Sequence, residues 1–281
     1  MYKSVISILV LMSFASCAMD HEIVSKEQER KIITLTSVTK ATGVETTTSP
    51  YNSGEVWLWA ETSKGTGYIT AWKLSSDSDG NLTSTSGGKY WPSDGSLTFY
   101  ALHGNFIKTT ITENYTSWAG LSLTHTVETD QSTYPNKLKS DLLYAKTVPV
   151  ESNTTPTKLT FGHLLAKITV KLDLENSQGI KAEELANSTV TLTNILPEAQ
   201  ISSATLSENS VQSSSASGNR QPIIAGKPAT VSNGEEIGSA IVPLQDFGGG
   251  KSDESSDNVI TITLASSDGR SFSYKPTTNV T

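Results

Sequence analysis

Leu159-Thr160-Phe161-Gly162-His163-Leu164-Leu165-Ala166-Lys167-Ile168-Thr169-Val170-Lys171-Leu172-Asp173-Leu174 holds two alternations of opposite parity. Leu159, Phe161, His163 and Leu165 occupy odd positions. Ile168, Val170, Leu172 and Leu174 occupy even ones. Alternation of period two marks a strand with one buried and one wet face. A strand cannot change its buried face without an extra residue, so a bulge or break is expected near Ala166-Lys167. The same period recurs at Tyr68/Thr70/Trp72/Leu74, Leu97/Phe99/Ala101, Leu121/Leu123/His125/Val127 and Ile260/Ile262/Leu264. Turn clusters separate these runs, among them Asn52-Ser53-Gly54, Asp77-Ser78-Asp79-Gly80-Asn81, Ser86-Gly87-Gly88, Asp94-Gly95 and Asp268-Gly269. Only Ile180 to Asn187 reads as helix. The pattern predicts an all-β chain of antiparallel sandwiches.

Organisation follows from the breaks. Val148 to Thr157 is polar and contains proline, and it marks the expected domain boundary. Residues 32–155 then form an N-terminal β-sandwich and residues 156–281 a C-terminal one. Ser202 to Ser217 and Gly248-Gly249-Gly250 read as long loops or locally disordered segments.

The N-terminus carries an export signal. A basic start, Met1-Tyr2-Lys3, precedes an apolar stretch from Ser4 to Ala15 that is too short to span a bilayer stably. The only cysteine, Cys17, follows the small pair Ala15-Ser16 at once. This order resembles the lipobox of bacterial lipoproteins, apart from Phe14 where leucine is commonest. The resemblance implies that residues 1–16 are a signal peptide and that Cys17 is lipidated. Several acyl chains on one residue anchor stably, since each buried methylene contributes about 0.8 kcal/mol. Polar residues 17–31 read as a tether.

Composition narrows the function. There are 21 basic and 28 acidic residues, for a net charge of −7. A chain with pI near 5.2 lacks the positive face that phosphate affinity needs, so nucleic acid is not an expected partner. One cysteine excludes a disulfide framework. His21, His103, His125 and His163 show no metal-ligand spacing, and no metal or cofactor is expected. No nucleophile elbow or phosphate loop occurs, and no catalytic residue is nominated. Asp77 to Asn81 begins like a calcium loop, but Gly88 stands where the twelfth-position glutamate belongs, so a turn is the better reading. The acidic run Asp253 to Asp257 reads as a solvated loop. The five tryptophans, Trp57, Trp59, Trp72, Trp91 and Trp118, read mostly as core.

Four blocks then occur in order: Tyr90-Trp91-Pro92, Leu97-Thr98-Phe99-Tyr100-Ala101, Asp141-Leu142-Leu143-Tyr144-Ala145 and Leu159 to Ile168. Together with Cys17 they resemble the fimbrillin-like lipoproteins over roughly residues 30 to 175. The resemblance implies two transthyretin-like β-sandwich domains in tandem and a role as a subunit of type V pili of Gram-negative anaerobes. It implies an outer-membrane lipid anchor, other pilus subunits as partners, and a cell-surface location. Ligands on host or bacterial surfaces are further partners it leaves open. In this family a protease removes the first strand, and a neighbour's strand fills the groove by β-strand addition. The matching strand here is Ile32 to Val38, with Ile32, Ile33, Leu35 and Val38 as its apolar residues. Arginine commonly follows that strand. Here Lys40 stands in its place and is the expected cleavage residue, in front of a polar loop from Thr42 to Gly54. Relatives continue into further strands near Thr281, so either the sequence is a fragment or this subunit lacks a donor strand. The alternative function is a monomeric surface lipoprotein that binds glycans through exposed aromatic residues.

Overall fold

The computed structural model describes residues 31–40, 48–51, 54–106, 111, 117–172, 179–206, 214–217, 219–227, 234–245, 260–265 and 269–275. The chain is all-β. Among the described residues, no helix is long and apolar enough to cross a membrane.

The first half forms one sheet from β1 (Leu35–Lys40), β2 (Thr48–Pro50), β3 (Glu55–Thr62), β4 (Gly67–Ser76), β5 (Asn81–Thr83), β6 (Ser96–His103), β8 (Leu143–Lys146), β9 (Val150–Glu151) and β10 (Thr157–His163). Its hydrogen-bonded path runs β10-β8-β6-β3-β4-β5-β1, and β1 pairs again with β10. The circuit therefore closes on itself. The closing pair is parallel, from Leu35 opposite Thr157 to Thr39 opposite Phe161. This differs from the wholly antiparallel expectation, and the reason is topological: β1 is inserted between two strands that already run in opposite directions. Every strand of the circuit contributes to one core, including Leu35, Val56, Leu58, Ile69, Leu74, Leu82, Leu97, Phe99, Leu143, Leu159 and Phe161.

β3 explains why Val56-Trp57-Leu58-Trp59-Ala60 is continuously apolar. Val56, Leu58 and Ala60 face the closed core, whereas Trp57 and Trp59 face a second one. β6 and β8 are divided in the same way, with Leu102 and Tyr144 on the second side. Strands buried on both faces lose the polar half of the alternation.

That second core is completed by β7 (Ser122–Thr126), β11 (Ala166–Lys171), β12 (Thr189–Ile195), β13 (Glu198–Ser202), β15 (Gln221–Ile224), β16 (Glu236–Val242) and β17 (Ile260–Thr263). β11 pairs with β16, β12 lies between β15 and β17, and β13 lies between β7 and β14 (Ser214–Ser217). β18 (Ser271–Tyr274) forms the outer edge beside β17. The parity change seen in sequence is a change of sheet. β10 ends at His163, and β11 starts at Ala166 in a different sheet. β10, which the expected division places in the second domain, makes its hydrogen bonds to β1 and β8. β7 lies before that division and pairs with β13, beyond it.

Two helices are described, α1 (Tyr134–Ser140) and α2 (Ala182–Ala186). α2 lies within the expected helical segment. α1 is a correction to that reading. Thr133 accepts a hydrogen bond from Asn136 N at its N-terminus, and Pro135 sits in the first turn, where it costs no helical bond. The expected loops are also shorter. β2 lies inside Thr42 to Gly54, and β14 inside Ser202 to Ser217. Gly248 to Gly250 and Asp253 to Asp257 lie outside the described residues.

Candidate functional site

β1 fills a slot and is bonded on both sides. Thr157 N donates to Thr34 O at 2.9 Å on the β10 side. On the other side Ile33 N donates to Lys89 O at 2.8 Å, Trp91 N to Lys31 O at 2.9 Å, and Ser37 N to Gly80 O at 2.7 Å. Tyr51 N donates to Ser37 O at 3.2 Å. Removing β1 would therefore leave two facing rows of unpaired backbone groups, those of β10 and those of β5 with the neighbouring turn.

The inward row of this segment is Ile33, Leu35 and Ser37, at 4%, 3% and 1% exposure. Ile32 is 54% exposed and bridges to Tyr90, and Val38 is only half-buried. Of the strand's four apolar residues, Ile33 and Leu35 plug the groove. Burial of those two contributes about 3–6 kcal/mol before ordering costs. The third inward position is polar. Ser37 Oγ donates to Gly80 O at 2.9 Å, and Tyr51 O lies 3.5 Å away. Gly80 adopts φ +79°, and a Cβ there would lie 2.3 Å from Ser37 O. β1 thus rests directly on the Gly80 main chain.

Lys40 is the last residue of β1 and is exposed. Residues 41–47 after it lie outside the described residues, as do Cys17 and the whole of residues 1–30. Beside Lys40, His163 Nδ1 stands 2.8 Å and 3.0 Å from the two Asp141 carboxylate oxygens. Hydrogen bonding to Asp141 raises the His163 pKa, partial burial opposes it, and a bond to the Lys40 main chain adds to the rise. The pair ties the end of β1 to β10 and to the residue that follows α1.

Deeper in, His125 is fully buried. Its Nδ1 accepts from Asn105 N at 2.9 Å, and its Nε2 bonds Ser140 O at 3.0 Å. Burial lowers its pKa to about 4, so the ring is neutral. Gly104 passes so close that a Cβ there would lie 2.6 Å from Phe106 and 2.8 Å from His125. Burial pushes the Tyr51 phenol well above its ordinary value, with Asp141 and Tyr134 adding to it. Sequence reading missed Ser37, Gly80 and the Asp141–His163 pair. Only the Asp-Gly turn at Asp79-Gly80 gave a signal, for a turn and not for a contact.

No group of three potential metal ligands occurs among the described residues. Asp77 spends its carboxylate on the turn itself, accepting from Asp79 N, Asn81 N and Asn81 Nδ2. The five tryptophans are all buried, at 0–6% exposure. Trp118 is stacked between Tyr100 and Tyr144, with ring centroids 4.8 and 5.7 Å apart. They form no outward platform for a sugar.

The fimbrillin-like family model matches residues 39–281, beginning on the penultimate residue of β1. The chain belongs to the fimbrillin-like family. Solved structures of the same fold include a candidate cell adhesion protein from Bacteroides ovatus, with 16% identity, a TM-score of 0.58, and coverage of 88% of this chain and 86% of that one. Another, from Bacteroides uniformis, has 20% identity and a TM-score of 0.54, covering 86% of this fimbrillin-like chain and 83% of its own. No curated protein matches by sequence.

Proposed function

We propose that this fimbrillin-like chain is a structural subunit of a cell-surface pilus, exported as a lipoprotein through Cys17 and assembled by strand exchange. The observation that carries this reading is the closed circuit of the first sheet. One short strand, β1, closes it, paired on both sides and ending in an exposed basic residue. Cleavage after Lys40 would make the return of β1 bimolecular, so a strand tethered to a neighbouring subunit competes through effective concentration. The partners are other pilus subunits and, through the lipid, the outer membrane. The role is structural and involves no catalysis or cofactor. We place the division between the two tandem, transthyretin-like units at Leu164-Leu165, where β10 gives way to β11.

Polymer laddering on denaturing gels without boiling tests this. Lys40→Ala should abolish ladders, and Arg30→Ala should leave them, because a cut at Arg30 keeps β1 attached. Unchanged ladders in Lys40→Ala would refute the cleavage site. Mass spectrometry of the mature N-terminus tests lipidation, and an unmodified thiol at Cys17 would refute it.

A further inference from the structure

We infer that the β1 slot selects its incoming strand by a serine or threonine at the third inward position, after two aliphatic residues. The occupant is thus an extended segment of a neighbouring subunit, running parallel to β10 and reading aliphatic-x-aliphatic-x-Ser/Thr. This rests on the strand-exchange reading above.

The slot's present occupant shows the requirement. Ile33 and Leu35 enter apolar surroundings, but Ser37 enters a notch bounded by the carbonyl oxygens of Gly80 and Tyr51. The notch cannot widen cheaply. Its wall is main chain, close enough that a Cβ on Gly80 would stand 2.3 Å from Ser37 O and 3.4 Å from Pro50 Cβ. An apolar side chain there would lie against two carbonyls and donate to neither.

The hydroxyl also settles register. Alternation of period two rejects a slip of one residue, because every side chain would change face. It does not reject a slip of two, which returns the same faces. A slip of two towards the N-terminus of the incoming strand would drive an aliphatic residue into the notch. A slip the other way would set the serine in the apolar site of Leu35. A single polar position in an otherwise apolar row discriminates between these, as a buried asparagine does in a coiled coil. The seated register is Leu35 opposite Thr157 and Ser37 opposite Leu159.

The test uses the full chain with a specific protease site placed within residues 41–47, cut so that β1 can exchange. Labelled peptides spanning residues 31–40 are added in excess and uptake is followed by fluorescence anisotropy. The wild-type, Ser37→Thr and Ser37→Val peptides are compared. Threonine and valine have the same shape, so their difference isolates the hydroxyl. The Ser37→Thr peptide should bind at least about tenfold more tightly than Ser37→Val, the scale of one unmade buried hydrogen bond. Equal binding of the two would overturn the selection rule and leave strand exchange standing. A cut chain that takes up no peptide, wild type included, would overturn strand exchange and this inference with it.

Discussion

Gly80→Ala is the substitution that probes the seat of β1 most sharply. Two costs combine at this position. The residue sits at φ +79°, where a Cβ is strained by about 1–2 kcal/mol. The new Cβ would also lie 2.3 Å from Ser37 O, against main chain that has no rotamer to retreat into. β1 must then lift off by roughly an ångström, which strains the bonds of Ser37 N and Ser37 Oγ to Gly80 O. Each is worth about 0.5–1.5 kcal/mol. The expected loss is about 2–5 kcal/mol. Gly65→Ala is the control. It has a nearly equal φ of +73°, but nothing lies within 4 Å of its Cβ, so it carries the backbone cost alone. Both variants are unfolded in urea at matched conditions. Gly80→Ala should lose at least about 1 kcal/mol more than Gly65→Ala, and proteolysis between residues 40 and 48 should speed up in the former only. Equal losses, with equal proteolysis, would refute the claim that β1 is held against the Gly80 main chain.

Other substitutions report on the rest of the frame. Gly104→Ala should destabilise by about 1–3 kcal/mol through overpacking against Phe106, His125 and Leu142, read from the denaturation midpoint. Gln131 is fully buried and pairs with both the carbonyl and the N–H of Ile241 at 2.8 Å, so Gln131→Leu should cost about 2–4 kcal/mol and expose the Ile241 amide to hydrogen exchange. His125 and His163 should give opposite pH dependences. The folded pKa of His125 is lowered from 6.5 to about 4, so its contribution is complete above 6.5 and stability falls by about 3 kcal/mol as pH drops towards 4. The folded pKa of His163 is raised, so its contribution is present below the unfolded value near 6.5 and is lost as pH rises through the folded one. Imidazole resonances followed by NMR titration should show His125 staying neutral down to about pH 4 while His163 titrates above its ordinary range. A normal titration at either ring would contradict the contact assigned to it.

Much of the frame was legible in the residues, because alternation reports burial directly. The opposed parities around Ala166-Lys167 located the passage from β10 to β11. Leu97, Phe99 and Ala101 all entered the closed core. What was not legible depends on pairing, which no local pattern carries. Nothing in Leu35 to Thr39 says that its partner lies at Thr157 to Phe161 or that the pair is parallel. The composition of the first strand misled for the same reason. The strand has four aliphatic residues, but period two sends Ile32 outward when Ile33 goes inward. Ser37, polar in composition, is more buried than any of them. α1 was missed because its seven residues are too short for a helical apolar stripe and follow a proline-containing start. The Asp141 partner of His163 comes from 22 residues away, and no spacing rule points to it.

A disulfide lock on β1 tests the central claim most directly. Thr36 and Lys158 are opposite one another in the β1–β10 register, so Thr36→Cys with Lys158→Cys would bond the first strand to the circuit it closes. Strand exchange requires β1 to leave. The oxidised double variant should therefore stay monomeric, with cleavage after Lys40 intact, and form ladders again once the disulfide is reduced. A locked chain that polymerises as the wild type does would contradict the account, because the slot would still be filled by its own strand.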